Sequence, residues 1–475
     1  MSASAGRRRV LLTGATGNWG RACLRAFRDR PDLHVTAFTL PTQADRRTLA
    51  EFADAPNISL AWGDLTQFAD VARAVRSVDV VLHIGAVVSP LADAQPDLAR
   101  RVNVGSMRNI VAAVSTLPDP GAVAVVGVGS VAETGDRPVP HHWGRVGDPI
   151  RVSAFDEYGQ TKVAAERLLV DSGLPRWAWL RQTGIFHPAL LATRDPILTH
   201  QPLAEVMEWA SDVDSARLMV ALAQGDVPEE FWGGIYNIGG GDEWRLTNWE
   251  FQVALTGVLG VRDVRRWYER NWFALGNFHG HWFTDSDRLQ ELVPFRGDTL
   301  ESALARAALT NRQAARWAGR VPAWAMKNLV IRPLTRAPRG TMHAIGGARA
   351  AEIEAHFGSS ERWAGIGDWS TFVAPDPSRT PTFLDHGYDE GLAPAQWSAS
   401  VYAGAARFRG GELLSDAVTV GDVATRLRWR CGEGHVFNAS PRLVLTGGHW
   451  CPTCVTDVAG YPRQAERNAF LAQLG

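Results

Sequence analysis

Apolar and polar residues follow a repeating strand–helix rhythm through the first 130 positions. Val10 to Leu12 forms an apolar run that predicts a short buried strand. The glycine-rich turn Gly14-Ala-Thr16-Gly17-Asn18-Trp19-Gly20 follows, and then a helical period places Cys23, Leu24 and Phe27 on one face. Leu33 to Leu40, Ile58 to Trp62, Val78 to Ile84 and Ala122 to Val128 predict four further strands, and Pro96 to Val114 predicts a helix. Strands alternating with helices imply an α/β fold with a doubly wound parallel sheet. Ligands in such sheets bind beyond the carboxyl ends of the strands. Gly14, Thr39, Asp64, Gly85 and Ser130 all fall at such ends.

The glycine turn carries the first chemistry. Its first glycine permits a tight turn, its second lets backbone approach a pyrophosphate, and its third lets helix and strand pack closely. The helix that follows offers free N–H groups to an anion. A dinucleotide is therefore expected. The second strand ends in Thr39 and Leu40, without the acidic residue that binds a ribose diol, and Arg46 and Arg47 come soon after. That pattern leans toward NADP over NAD, against the plainer reading of arginines in solvent. Further on, Tyr158 and Lys162 are four apart and share a helix face. An ammonium beside a phenol favours the phenolate, so Lys162 is expected to lower the Tyr158 pKa.

Composition bounds the rest. The chain has 475 residues, 45% hydrophobic and 21% charged, with a net charge of −1, so two or three domains are expected and no global field recruits nucleic acid. No run of about 18 apolar residues predicts a membrane span, and no secretory leader is evident, so the cytoplasm is the expected location. Three of the four cysteines lie late, as Cys431-x3-His435 and Cys451-x2-Cys454. Two close ligand pairs suit tetrahedral zinc in a closed Cys3His shell, which makes the metal structural. Reduced cysteines without a metal are the alternative. The 19 tryptophans point to large cores and an aromatic pocket.

Thr13-Gly-Ala-Thr-Gly-Asn-Trp-Gly20, Gly63-Asp64-Leu65, His83-Ile-Gly85-Ala86, Asn103-Val-Gly, Gly129-Ser130, Tyr158-x3-Lys162 and Leu180-Arg181-Gln-Thr183-Gly resemble the extended short-chain dehydrogenases/reductases, in the epimerase/dehydratase branch. Trp209-Ala-Ser-Asp212 and Tyr236-Asn-Ile-Gly continue the likeness to about residue 300. The resemblance implies a Rossmann core with a smaller substrate lobe, mainly 185–300, within a domain spanning 1–310. It implies that Gly14, Gly17 and Gly20, with Thr16, Asn18 and Trp19, hold the pyrophosphate. Thr39 and Arg46 then face the adenosine ribose, Asp64 and Leu65 bracket the adenine, and Gly85 and Ala86 line a ribose. Asn103 supports the catalytic helix, and Thr183 and Ile185 pass near the carboxamide. Tyr158 is the implied proton donor or acceptor, Lys162 holds the nicotinamide ribose, and Ser130 orients the substrate oxygen. Arg181 is read as structural.

Two departures narrow the chemistry. Dehydratases of this group place an acidic pair directly after the catalytic Ser/Thr; here Val131 and Ala132 stand there, and Glu133 is one residue out of register. An asparagine that grips a diphosphate is replaced by Gly184. The expected activity is therefore NAD(P)-dependent exchange between a secondary alcohol and a ketone or aldehyde on an apolar or aromatic small molecule. The alternatives are an NAD-dependent epimerase and a dinucleotide-sensing protein that binds nucleic acid. A homodimer is a further expectation.

Beyond the dehydrogenase pattern, residues 311–340 hold seven basic residues, no acidic one, and interleaved apolar side chains including Trp317 and Trp324. Such a segment either docks its apolar side on the main domain or lies on a membrane or phosphate surface. Docking is the favoured reading. Residues 311–425 then connect or cap, and 426–475 form a module similar to a zinc ribbon. The aromatic stretch Trp267 to Phe283 reads as core more than as pocket lining.

Overall fold

The computed structural model describes residues 7–192, 195–318 and 320–475; the side chain of Trp317 lies outside the description. Seven parallel strands build the main sheet: β1 (Arg8–Thr13), β2 (Leu33–Thr39), β3 (Ile58–Trp62), β4 (Val80–His83), β5 (Ala124–Ser130), β6 (Trp177–Gln182) and β7 (Gly234–Ile238), in the order β7-β6-β5-β4-β1-β2-β3. The order reverses between β1 and β4, where Thr13 pairs with His83. A crevice at such a reversal is where dinucleotides sit. The sheet is the expected Rossmann sheet, with strand ends shifted by a few residues. β5 starts at Ala124 and continues to Ser130, because Gly129 and Ser130 pair with Arg181 and Gln182.

Helices α1 (Asn18–Arg28) and α5 (Asp212–Gln224) cover one face, burying Cys23, Leu24 and Phe27 with Leu218, Met219 and Leu222. Helices α2 (Phe68–Val75), α3 (Gly105–Ser115) and α4 (Glu157–Val170) cover the other. The helix expected over 96–114 is present and continuous, with one wide π-helical turn at Arg100–Val104 joining Pro96–Ala99 to α3. Asn103 sits in that turn, buried.

The C-terminal chain does not hang apart. Hairpin strands β8 (Leu427–Arg430) and β9 (Val436–Ala439), and the helical turn Arg442–Thr446, bury Trp429, Phe437, Leu443, Val444 and Leu445 in the same cluster as Trp177, Trp179 and Ile235 of the sheet. The module thus covers the β6–β7 end of the face that α4 leaves open. Segment 311–340 docks only in part: Ile331 and Met326 pack with Trp267, Tyr268, Trp272 and Phe273, and Lys327 pairs with Glu269, while Trp324 and Leu329 are exposed. The aromatic stretch divides. Trp267, Trp272 and Trp282 are core, while Phe278 and His279 reach a cavity described below.

Candidate active site and metal centre

Gly14 has φ +70°, and a Cβ there would sit 2.6 Å from the Gly85 Cα. A Cβ on Gly20 would be driven into the Gly14 carbonyl oxygen, while Gly17, whose N–H donates to that oxygen at 3.1 Å, is open on its outer side. Backbone alone therefore shapes the approach to the α1 N-terminus. No side chain caps that end, which leaves its N–H groups for an anion. Asn18 is exposed, and Trp19 and Thr16 are half-buried beside it. The Asp64 carboxylate accepts from Thr66 N and Oγ1 at 2.8 Å each, and the Leu65 carbonyl accepts from Asn109, so the β3 loop is braced. At the end of β2, beyond Thr39, the Arg46 guanidinium stacks on Trp62 at 4.2 Å. Asp45, next to Arg46 in the chain, accepts from Thr42 Oγ1 at 2.6 Å. Gln182 and Thr183 are buried, and neither the Gln182 amide nor Thr183 Oγ1 has a partner among the described residues. Buried polar atoms without partners are rare, and two neighbouring ones suit a ligand's amide. With the glycine cradle, they fit a dinucleotide. Ile185 lies next along, half-buried and paired with Ala210.

Asn103 ties three parts together. Its side chain accepts from Val87 N (2.7 Å) and donates to Val87 O and Thr161 Oγ1 (2.9 Å each), joining the loop after Gly85 and Ala86 to α4. It supports the helix that carries Tyr158 and touches no reacting group. His83, flagged in the sequence only as a strand end, bridges Thr13 Oγ1 (2.8 Å) and Ser106 Oγ (3.0 Å); burial lowers its pKa to about 3, so it is neutral.

Ser130, Tyr158 and Lys162 converge at the β5 end. The Ser130 hydroxyl is within hydrogen-bonding reach of the Tyr158 phenol. The expected lowering of the Tyr158 pKa does not hold. Burial pushes the phenol up, and Ser130 offsets only part of the rise. Lys162 Nζ lies 5.7 Å from the Tyr158 ring centre and donates to Val128 O at 2.7 Å. Burial lowers the lysine to about 8, which leaves it mostly charged at neutral pH with its ammonium directed to the Val128 carbonyl. Glu133 is no catalytic acid facing the substrate. It is fully buried, and its Oε1 accepts from Ser130 N at 2.8 Å while Ser130 Oγ accepts from Ala132 N, which locks the turn.

Tyr158 opens on a cavity of about 240 Å³ lined by Val88, Ala154, Phe155, Ile197 and Phe278 and by polar groups that include Asp93, Asp156, Asn277, His200, His279, Arg339 and His356. Arg339 and His356 come from the C-terminal extension. Arg339 pairs with Asp93 at 2.7 Å, and Asp156 pairs with His279 at 3.2 Å. Burial lowers His200 to about 3 and His356 to about 4, and their rings lie 4.4 Å apart. The sequence flagged Arg339 only as one of a basic run, and it held no signal for Asp93, His200 or His356.

Cys431, His435, Cys451 and Cys454 form the remaining cluster, their ligand atoms all within 4.8 Å of one another. Cys431 Sγ lies 3.5 Å from His435 Nδ1 and 3.6 Å from Cys454 Sγ; Cys451 and Cys454 lie 3.6 and 3.4 Å from the same nitrogen. A tetrahedron with zinc bonds of about 2.0–2.3 Å has edges of roughly 3.3–3.8 Å. The donors fit zinc with no open position.

Residues 10–173 match the model of the NAD dependent epimerase/dehydratase family. The fold resembles dTDP-glucose 4,6-dehydratase from Bacillus anthracis str. Ames in complex with NAD, at TM-score 0.50 and 16% identity over 65% of this chain and 98% of that one. It also resembles a dTDP-glucose 4,6-dehydratase from Streptomyces venezuelae with NAD and TYD bound (TM-score 0.51, 22% identity, 65% and 98% covered). UDP-glucuronic acid 4-epimerase from Bacillus cereus, in complex with UDP-glucuronic acid and NAD, is similar as well (TM-score 0.50, 16% identity, 64% and 99% covered). No curated protein gives a significant sequence match. Residues 10–173 are therefore similar to the NAD dependent epimerase/dehydratase family, and the fold is shared with these dehydratases and epimerases.

Proposed function

We propose that this protein is an enzyme that interconverts a secondary alcohol and its carbonyl on a small, neutral, largely apolar molecule, with Tyr158 as the proton donor or acceptor. One observation carries the reading: Tyr158, within reach of Ser130, faces a partly open cavity of about 240 Å³ in which Arg339 is paired with Asp93 and His279 meets Asp156. That volume is below the roughly 300–1,000 Å³ that encloses a drug-sized ligand, so the substrate is small. A nicotinamide cofactor held by Gly14, Gly17, Gly20 and Thr183 supplies or accepts the hydride. In the reductive direction Tyr158 gives its proton to the substrate oxygen, and its raised pKa keeps that proton in place until charge develops. Ser130 holds the same oxygen. Lys162, lowered by burial to about 8 and anchored by its hydrogen bond to the Val128 carbonyl, is the nearby group that would return a proton to Tyr158. Arg46 on Trp62, without a free acid nearby, supports NADP over NAD. Zinc bound by the Cys3His cluster is structural.

The test is a carbonyl panel with NADPH and NADH, read by loss of nicotinamide absorbance. Turnover retained in Tyr158→Phe overturns the mechanism. The family match favours a second reading, an epimerase that reduces and reoxidises tightly held NAD within one cycle. Stoichiometric NAD released from the denatured protein, seen by mass spectrometry, selects it. Exchangeable NADP rejects it.

A further inference from the structure

The serine turn is connected to the metal module by a continuous run of buried polar groups. Glu133, Glu166, Arg181 and His449 are each at most 1% exposed. Buried charges are tolerated only with partners on every side. Arg181 donates to Glu166 through Nε (3.0 Å) and Nη2 (2.7 Å), lies 3.6 Å from Glu133 Oε2, and donates to the Gly447 carbonyl at 2.7 Å. His449 Nε2 approaches Glu166 Oε1 at 3.0 Å, off the line of a straight hydrogen bond. Burial beside Glu166 raises Glu133 far above the usual carboxylate range, so it is a neutral acid while Arg181 compensates Glu166. The far end of the run is the Ser130 N–H on Glu133 Oε1.

The 447–449 loop is itself rigidly placed. Gly448 has φ +74°, and a Cβ there would be driven into the Asp148 carbonyl oxygen. Cys451 follows two residues later. The module also grips the outer side of α4, through Gln160 to Val455 O (3.2 Å) and Arg167 to Trp450 O (3.0 Å). The turn has a second anchor at its other end, where Thr134 Oγ1 meets His281 Nε2 at 2.6 Å. Between its pairing with Gln182 in the sheet and the Thr134 anchor, the Ser130 backbone is held by Glu133.

We infer that the C-terminal metal module is a positioning element for the catalytic centre: the 447–449 loop fixes Arg181 and Glu166, these fix Glu133, and Glu133 holds the Ser130 backbone. The mechanical link stands on geometry alone; its effect on turnover rests on the role proposed for Ser130.

Hydrogen–deuterium exchange with peptide-level mass spectrometry on the full chain tests the link without a substrate. Gly448→Ala displaces the loop, His449→Ala removes its imidazole, and His449→Gln keeps a donor toward Glu166. In the first two variants the amides of residues 129–134 are expected to exchange about tenfold faster, with β1 unchanged and with His449→Gln close to wild type. Wild-type exchange at 129–134 in both variants overturns the inference. So does acceleration that extends equally to β1, which makes the module a general support. Ser130→Ala separates the two readings. If its turnover is normal while the exchange change persists, the link survives and the role of Ser130 fails.

Discussion

The two sides of the proposed catalytic centre are constructed in opposite ways. On the cofactor side, one stretch of eight residues supplies the cradle, and it does so with backbone: Gly14 against Gly85, Gly20 against Gly14, and an uncapped helix end. On the substrate side, side chains arrive from segments hundreds of positions apart, Val88 and Asp93, Tyr158, His200, Phe278, Arg339 and His356. A backbone-built site tolerates almost no change in residue type, yet its chemistry is general. A side-chain-built site is open to substitution at each position, and that freedom allows selectivity to vary while the cofactor site stays the same.

Tyr158 stands where the two sides meet, so Tyr158→Phe has the largest expected effect. Turnover should fall by about 10²–10⁴, with nucleotide retention by fluorescence titration unchanged. Next, Gly20→Ala should weaken nucleotide binding by roughly ten- to a hundredfold, because the new methyl forces the Gly14 carbonyl and with it the α1 N-terminus to move. A Gly20→Ala protein with normal nucleotide affinity would break the comparison on its cofactor side. Arg339→Ala should leave that affinity intact and raise KM for the carbonyl substrate about tenfold, since Asp93 is then left with an unpaired charge at the cavity wall. A matching loss of nucleotide binding in Arg339→Ala would break it on the substrate side.

The smallest expected effect is on stability against pH. His200 and His356 are held neutral, with pKa values lowered to about 3 and about 4 from 6.5. The unfolded chain binds their protons first as pH falls. Their contribution is therefore complete above about 6.5 and is lost as pH drops toward 4, by at most about 1.4 kcal/mol per pH unit for each ring. Urea midpoints at pH 7 and pH 5 should differ, and His356→Gln should flatten the difference. An unchanged slope in that variant would place the proton uptake elsewhere.

Legibility in the sequence follows the same division. The glycine turn, Asp64, Ser130 and the Tyr158–Lys162 spacing could be read because each rests on short-range geometry: a positive φ, a strand end, one turn of helix. The metal ligands were readable for the same reason, as two pairs each closed by a turn. Arg339 and His356 carry no local mark, since a polar side chain in a helix-rich extension looks the same whether it meets solvent or a cavity. The reversal at Tyr158 has a related cause. Spacing put Lys162 on the correct face, but only packing revealed that its ammonium donates to Val128 O and that burial dominates the Tyr158 phenol.

The shared core that joins Trp177 and Ile235 to Leu443 and Val444 also sets a schedule. Arg181 and Gly447 are 266 positions apart. At about 5–20 residues per second, a ribosome needs roughly 13–53 s to make that interval. For this time the apolar surface of β6 that the module covers is without its partner, with Arg181 and Glu166 under no lid. The nascent chain is thus exposed to wrong partners late in its synthesis, and a chaperone that shields apolar surface has its longest opportunity on this one face.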